Sequence, residues 1–206
     1  AMNKQLIEAE LECAQALSIF PTYDDAQSLH DDIAAKLDAT EEHFQEASSR
    51  FEAKDLYEAE SACEQALDIY SSHKNASALL PKIKRALAQA KQHFDKAESL
   101  FDSKDLLQAS RICEVCLAGF ATHPDALELQ TRLNSAIEAA ETKFKAASVL
   151  SEQKDMQKAH TENSAALDIF PTHERSLQLQ LLVFVLHVGV MRRRRRRRAL
   201  LLRRGL

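Results

Sequence analysis

Lys54-Asp55, Lys104-Asp105 and Lys154-Asp155 stand fifty residues apart, and much of the surrounding sequence keeps the same interval. Leu6, Leu56, Leu106 and Met156 share a register, as do Ala9, Ala59, Ala109 and Ala159. Leu17, Leu67, Leu117 and Leu167 form a third set, and Phe20, Tyr70, Phe120 and Phe170 a fourth. A fixed period of this kind predicts a solenoid, in which each unit buries its apolar face only by stacking on the next. Function is then to be sought on a surface rather than in a pocket.

Three glycines and four prolines in 206 residues are too few for an all-β or loop-rich protein, and Ala, Leu, Glu, Lys and Gln, all strong helix formers, take their place. An all-α fold follows: an α-solenoid of antiparallel helix pairs in which short and long helices alternate. Within a unit the recurrent apolar positions fall three, four or about seven apart, so a first helix of about four turns presents one apolar face. The second helix is longer, some six turns, with a stripe through Leu29, Ile33, Leu37, Phe44, Ala47 and Phe51 that returns as Leu79, Ile83, Leu87, Phe94, Ala97 and Phe101. Their mean spacing of about 3.67 predicts nearly straight packing rather than a left-handed coiled coil. Pro81 falls about two turns into its helix and predicts a kink there.

The repeat array is expected over 1–182, with units at 4–53, 54–103 and 104–153 and an incomplete one at 154–190. A buried Leu, Ile or Phe contributes roughly 1.5 to 3 kcal/mol, and one unit buries too few to offset its own backbone entropy. The units should therefore stabilise one another. Asp55 with Glu58 and Asp105 with Gln108 have the spacing of a capping box, whereas Asp155 faces Lys158 and predicts a weaker cap. Thr22, Ser72, Thr122 and Thr172 are the expected N-caps of the long helices.

The stretch Lys54-Asp55-Leu56-Tyr57-Glu58-Ala59, followed by Cys63-Glu64-Gln65-Ala66-Leu67-Asp68-Ile69-Tyr70, resembles the tetratricopeptide repeat, and Pro21 and Pro171 fall where that family places proline. The resemblance runs from Gln5 to about Leu182. Two departures matter: lysine stands where glycine is usual, and the unit is sixteen residues longer than the family's thirty-four. The resemblance implies an elongated variant of that architecture, one that binds a peptide or partner helix on its surface.

Cys13, Cys63 and Cys113 recur on the apolar helical face and read as small buried hydrophobes in a reducing compartment. Cys113 and Cys116 have the form of a zinc pair, but Cys116 occupies the slot of Ala16, Ala66 and Ala166, and no second pair exists. Packing therefore explains both. His73, His123 and His173 recur in the turn, where Tyr23 stands in the first unit, and are expected to cap or pack locally rather than bind metal. His43 and His93, replaced by Lys143, read as exposed. No phosphate loop, nucleophile motif or H-E-x-x-H is present, so neither catalysis nor a cofactor is expected.

Gln45, Arg50, Lys91, Asp95, Lys96 and Lys145 vary between units on the long helices and are the candidate partner-binding residues. The chain's charge is −4, but without Arg192, Arg193, Arg194, Arg195, Arg196, Arg197, Arg198, Arg203 and Arg204 the remainder carries 18 basic against 31 acidic residues, or −13. An acidic array argues against nucleic-acid binding by the repeats themselves. The tail, 183–206, is apolar and then arginine-rich, with disorder expected after 191. Three readings of it stay open: attachment to a membrane surface, a polybasic arm for nucleic acid or anionic lipid, and repeat coding sequence read one base out of frame. The leading functional expectation is a non-enzymatic protein-binding scaffold, with the polybasic arm as the alternative and self-association through the solenoid ends as a further contact. The start lacks a signal peptide's apolar core, so a cytoplasmic location is expected.

Overall fold

The structure, a computed structural model, describes residues 6–185. The arginine run and its expected disorder lie outside that range. The described residues are all-α: short helices α1 (Leu6–Ile19), α3 (Leu56–Ile69), α5 (Leu106–Gly119) and α7 (Met156–Ile169) alternate with long helices α2 (Asp24–Glu52), α4 (Lys74–Asp102) and α6 (Pro124–Glu152). A further helical stretch covers 174–185. The short helices have 14 residues, the expected four turns. The long ones have 29, about eight turns rather than six, because the polar residues flanking the apolar stripe continue the helix at both ends. Pro81 lies inside α4, which continues unbroken to Asp102.

Each long helix ends in the same way. Lys54 adopts a left-handed backbone with φ 61°, its amide bonds the Phe51 carbonyl, and the Asp55 amide bonds the Arg50 carbonyl. Lys104 (φ 61°) and Lys154 (φ 65°) repeat this Schellman geometry. Glycine is the usual residue there because a Cβ costs about 1 kcal/mol or more in that region. The turn reverses the chain and aims the next short helix back along the long one.

Two compact units divide the chain, the first taking in the residues up to Phe94 with Glu114–Leu127, the second Asp95–Cys113 with the residues from Glu128. In the first, α2 packs against both α1 and α3. Ala47, Ala59, Ala62, Cys63, Ala66, Ala76 and Ile83 form its core, with Phe44, Phe51, Leu67 and Leu79 closing over it. Small residues at Ala59, Ala62 and Ala66 let the helix axes approach closely, and the phenylalanines fill the flanks. In the second, Ala147, Leu179 and Val183 are buried together under Phe144 and Met156. Helix and burial thus continue past residue 181, where the sequence becomes uniformly apolar.

Candidate functional site

The turns between short and long helices gather aromatic ring contacts among the described residues, around Phe20, Tyr70, Phe120 and Phe170 and the turn histidines. Helix α4 begins at Lys74 and α6 at Pro124, so the cap positions are His73 and His123, one residue beyond the expected Ser72 and Thr122. Each imidazole accepts a backbone N–H three residues on through Nδ1, Ala76 for His73 and Ala126 for His123, both at 3.3 Å. Imidazole thus does what a hydroxyl does at an ordinary N-cap. Tyr23 caps α2 in sequence position but makes no side-chain cap bond.

Each of these histidines also sits between two aromatic rings. His73 lies 5.2 Å from Phe44 and 6.3 Å from Tyr70; His123 lies 5.2 Å from Phe94 and 5.0 Å from Phe120. His173 lies 5.4 Å from both Phe144 and Phe170. His73 and His173 direct Nε2 at Glu41 (3.5 Å) and Glu141 (3.2 Å), and His173 shares a 2.6 Å hydrogen bond with Ser176. These are the local caps and packing groups that the sequence suggests.

A second set of contacts joins the ends of successive short helices. In the first compact unit the Lys54 ammonium donates to the carbonyl of Ala118, the Ala121 amide donates to the Lys54 carbonyl at 3.1 Å, and Thr122 Oγ1 donates to Asp55 Oδ1 at 2.8 Å. Tyr57 meets Phe120 edge-on, centroids 4.8 Å apart. In the second, Lys104 donates in the same way to the carbonyl of Asp168. Ala118 and Asp168 lie in the last turns of α5 and α7, where carbonyls lack helical partners and the helix dipole favours a cation. The lysine that replaces glycine therefore tethers one short helix's start to the end of the next.

These contacts correct the expected capping. Asp55 makes no cap bond to its own helix because its carboxylate is engaged by Thr122. Asp105 bonds the Gln108 amide, and Asp155, expected to be the weaker cap, bonds the Lys158 amide at 3.3 Å. Lys158 also pairs with it at 3.1 Å, and its side-chain and backbone hydrogen bonds hold the Asp155 carboxyl below its usual range.

Cys13, Cys63, Cys113 and Cys116 are buried free thiols. Cys63 Sγ donates to the Ala76 carbonyl and Cys116 Sγ to that of Ala90, each at 3.3 Å. Burial, reinforced by Glu64, pushes the Cys63 thiol up, so it is not a reactive thiolate. Asn163 stands in the recurrent cysteine register and donates to the Ser176 carbonyl at 2.8 Å. No cluster of three or more His, Cys, Asp or Glu suited to a metal ion occurs among the described residues.

Gln45, Arg50, Lys91, Asp95, Lys96 and Lys145 are all exposed. Arg50 is partly engaged, 3.4 Å from Asp55 and 3.6 Å from Glu46, and Gln45 donates to Glu41 at 3.2 Å. Gln45 and Arg50 are five residues apart on α2, about 140° round the helix, and so do not share one face. Gln45, Asp95 and Lys145 occupy one register of the repeat and carry a neutral, an acidic and a basic group. His43 and His93 are half-buried rather than exposed, while Lys143 is exposed and bridges α6 to α7 through Glu162 at 3.0 Å.

The feature that sequence reasoning missed lies on the first unit. Phe20 is 58% exposed, whereas Phe120 in the same register is fully buried; Leu29 is 52% exposed against 1% for Leu129. An open groove of about 280 Å³ lined by Ala9, Cys13, Ala16, Ala26 and Leu29, with Glu12 and Asp25 on its rim, runs beside them.

No family model matches the chain, and no curated protein matches it. No helix among the described residues is long and apolar enough to cross a membrane.

Proposed function

We propose that the chain is a non-enzymatic, cytoplasmic scaffold of tetratricopeptide-like repeats that binds a peptide or partner helix on the exposed side of its long helices. One observation carries this reading. The register of Ala47, Ala97 and Ala147 is invariant and buried, while the exposed register two residues earlier changes from Gln45 to Asp95 to Lys145. A frame held constant under side chains of changing charge supplies a distinct recognition surface in each unit. Capture of binding proteins from a lysate by the whole chain, compared with a Gln45→Lys, Asp95→Lys, Lys145→Glu variant of equal helicity, tests it. Loss of specific partners in the variant supports the reading; an unchanged set of captured proteins contradicts it.

The nine arginines between Arg192 and Arg204, with no acid among them, favour a second reading in which the chain binds nucleic acid or an anionic lipid surface. Salt-dependent retention on heparin separates the two. Retention that persists in a chain ending at Gln180 removes the arginines from the explanation.

A further inference from the structure

The helical stretch 174–185 exposes an apolar face where α4 and α6 expose mainly polar and charged residues. Leu181, Leu182, Phe184 and Val185 are 68%, 51%, 65% and 64% exposed, and Val183 among them is buried. At about 100° per residue the four span an arc of about 160° on the side opposite Val183. One unit earlier the same exposed positions hold Thr131, Arg132, Asn134 and Ser135 around buried Leu133, and in α4 they hold Pro81, Lys82, Lys84 and Arg85 around buried Ile83. The inner side of this helix therefore keeps the repeat while its outer side has turned from polar to apolar. A helix that is apolar on both sides calls for a second apolar environment besides its own core.

Charge indicates what that environment is. From Arg175 onward the sequence holds no aspartate or glutamate, and Arg192, the first of seven consecutive arginines, follows Val185 by seven residues. We propose that this face docks into the surface of a bilayer rich in anionic lipid, with Leu181, Leu182, Phe184 and Val185 entering among the acyl chains while the arginines meet the phosphates. The inference rests on the second reading above, in which the arginines engage anionic groups, and adds the apolar half of the contact.

A bilayer interface offers dense negative charge directly beside an apolar phase, and the two signals together hold a protein where either alone binds weakly. Nucleic acid matches the arginines, and its bases could stack on Phe184, but it gives two leucines and a valine nothing to bury against. The contact is interfacial rather than spanning. The run from Leu181 to Met191 has eleven residues, about half of the roughly 20 that cross a hydrocarbon core as a helix.

The chain has no tryptophan, so Phe184→Trp places a single fluorescent reporter on the face. In the full chain its emission is expected to shift to the blue, and to be quenched by brominated acyl chains, on vesicles of equal parts phosphatidylcholine and phosphatidylserine, and to stay unshifted with heparin or with single-stranded RNA. Leu181→Thr, Leu182→Gln, Phe184→Asn and Val185→Ser together give the face the polarity of α6 and keep every arginine. This variant is expected to leave heparin at the same salt concentration as wild type but to bind the mixed vesicles at least roughly tenfold less tightly. Helicity at 222 nm confirms that it folds, and Phe184→Asn alone replaces it should it not. Equal vesicle binding by wild type and variant, or an unshifted reporter on chains that do bind vesicles, overturns the proposal and leaves the arginine reading standing. Binding to RNA without binding to vesicles overturns it in favour of nucleic acid, and binding to none of heparin, RNA and vesicles removes the arginine reading as well.

Discussion

Tyr57 and Phe120, sixty-three residues apart, meet edge to face with centroids 4.8 Å apart and planes at 83°. The contact closes the end of one short helix over the start of another and leaves Phe120 without solvent exposure. Phe20, in the same register, has no such cover.

The same substitution should therefore have unequal effects at the two positions. Phe120→Ala opens a cavity against Tyr57 and His123 and is expected to cost about 3 to 5 kcal/mol. Phe20→Ala removes a ring that water already reaches and is expected to cost under about 1 kcal/mol. Urea denaturation of the two variants, at concentrations low enough to keep the chain monomeric, checks the ratio.

The three left-handed lysines should also respond unequally to glycine. Lys154→Gly relieves the backbone penalty and is expected to stabilise by about 1 kcal/mol. Lys54→Gly gains the same relief but loses the ammonium on the Ala118 carbonyl, a contact of about 0.3 to 1 kcal/mol, so it is expected to be nearly neutral. Thermal melts of both variants give the comparison.

Asn163 presents a test of polar burial. Its amide nitrogen bonds the Ser176 carbonyl, but Oδ1 is buried with no hydrogen-bond partner among the described residues. Asn163→Cys restores the residue type of Cys13, Cys63 and Cys113 and removes the orphaned oxygen. A gain of about 1 to 2 kcal/mol in denaturant unfolding is expected.

Asp155 links stability to pH. Its carboxyl is depressed by hydrogen bonding to Lys158, so the folded state binds the proton less readily than the unfolded one. Its contribution is therefore present above the unfolded carboxyl's pKa and is lost as pH falls through the lower, folded value. Side-chain carbon NMR titration should place Asp155 below ordinary aspartates, and Lys158→Ala should return it towards them.

The alternating short and long helices and their buried Ala, Leu and Cys faces were legible in the sequence because period and burial act through the same residues, Ala59, Cys63 and Ala66 among them. The caps were legible only to within a residue. His73 takes the place expected for Ser72 because an imidazole, held between Phe44 and Tyr70, reaches the Ala76 amide. The role of Lys54 was visible only as a departure, a lysine where glycine is common. Its explanation depends on a carbonyl sixty-four residues away, which no local pattern encodes. The six exposed residues singled out for binding followed from variation between units, which reports solvent access but not what is recognised.

Hydrogen exchange on the intact chain, at concentrations where it is monomeric, tests most directly the claim that each short helix is held by its neighbours on both sides. Amides of α3 and α5, covered at both ends, are expected to exchange slowest, and those of α1, whose Phe20 end is open, at least tenfold faster despite equal length and similar composition. Protection in α1 equal to that in α3 and α5 would contradict it, because the helices would then owe their stability to themselves rather than to the units beside them.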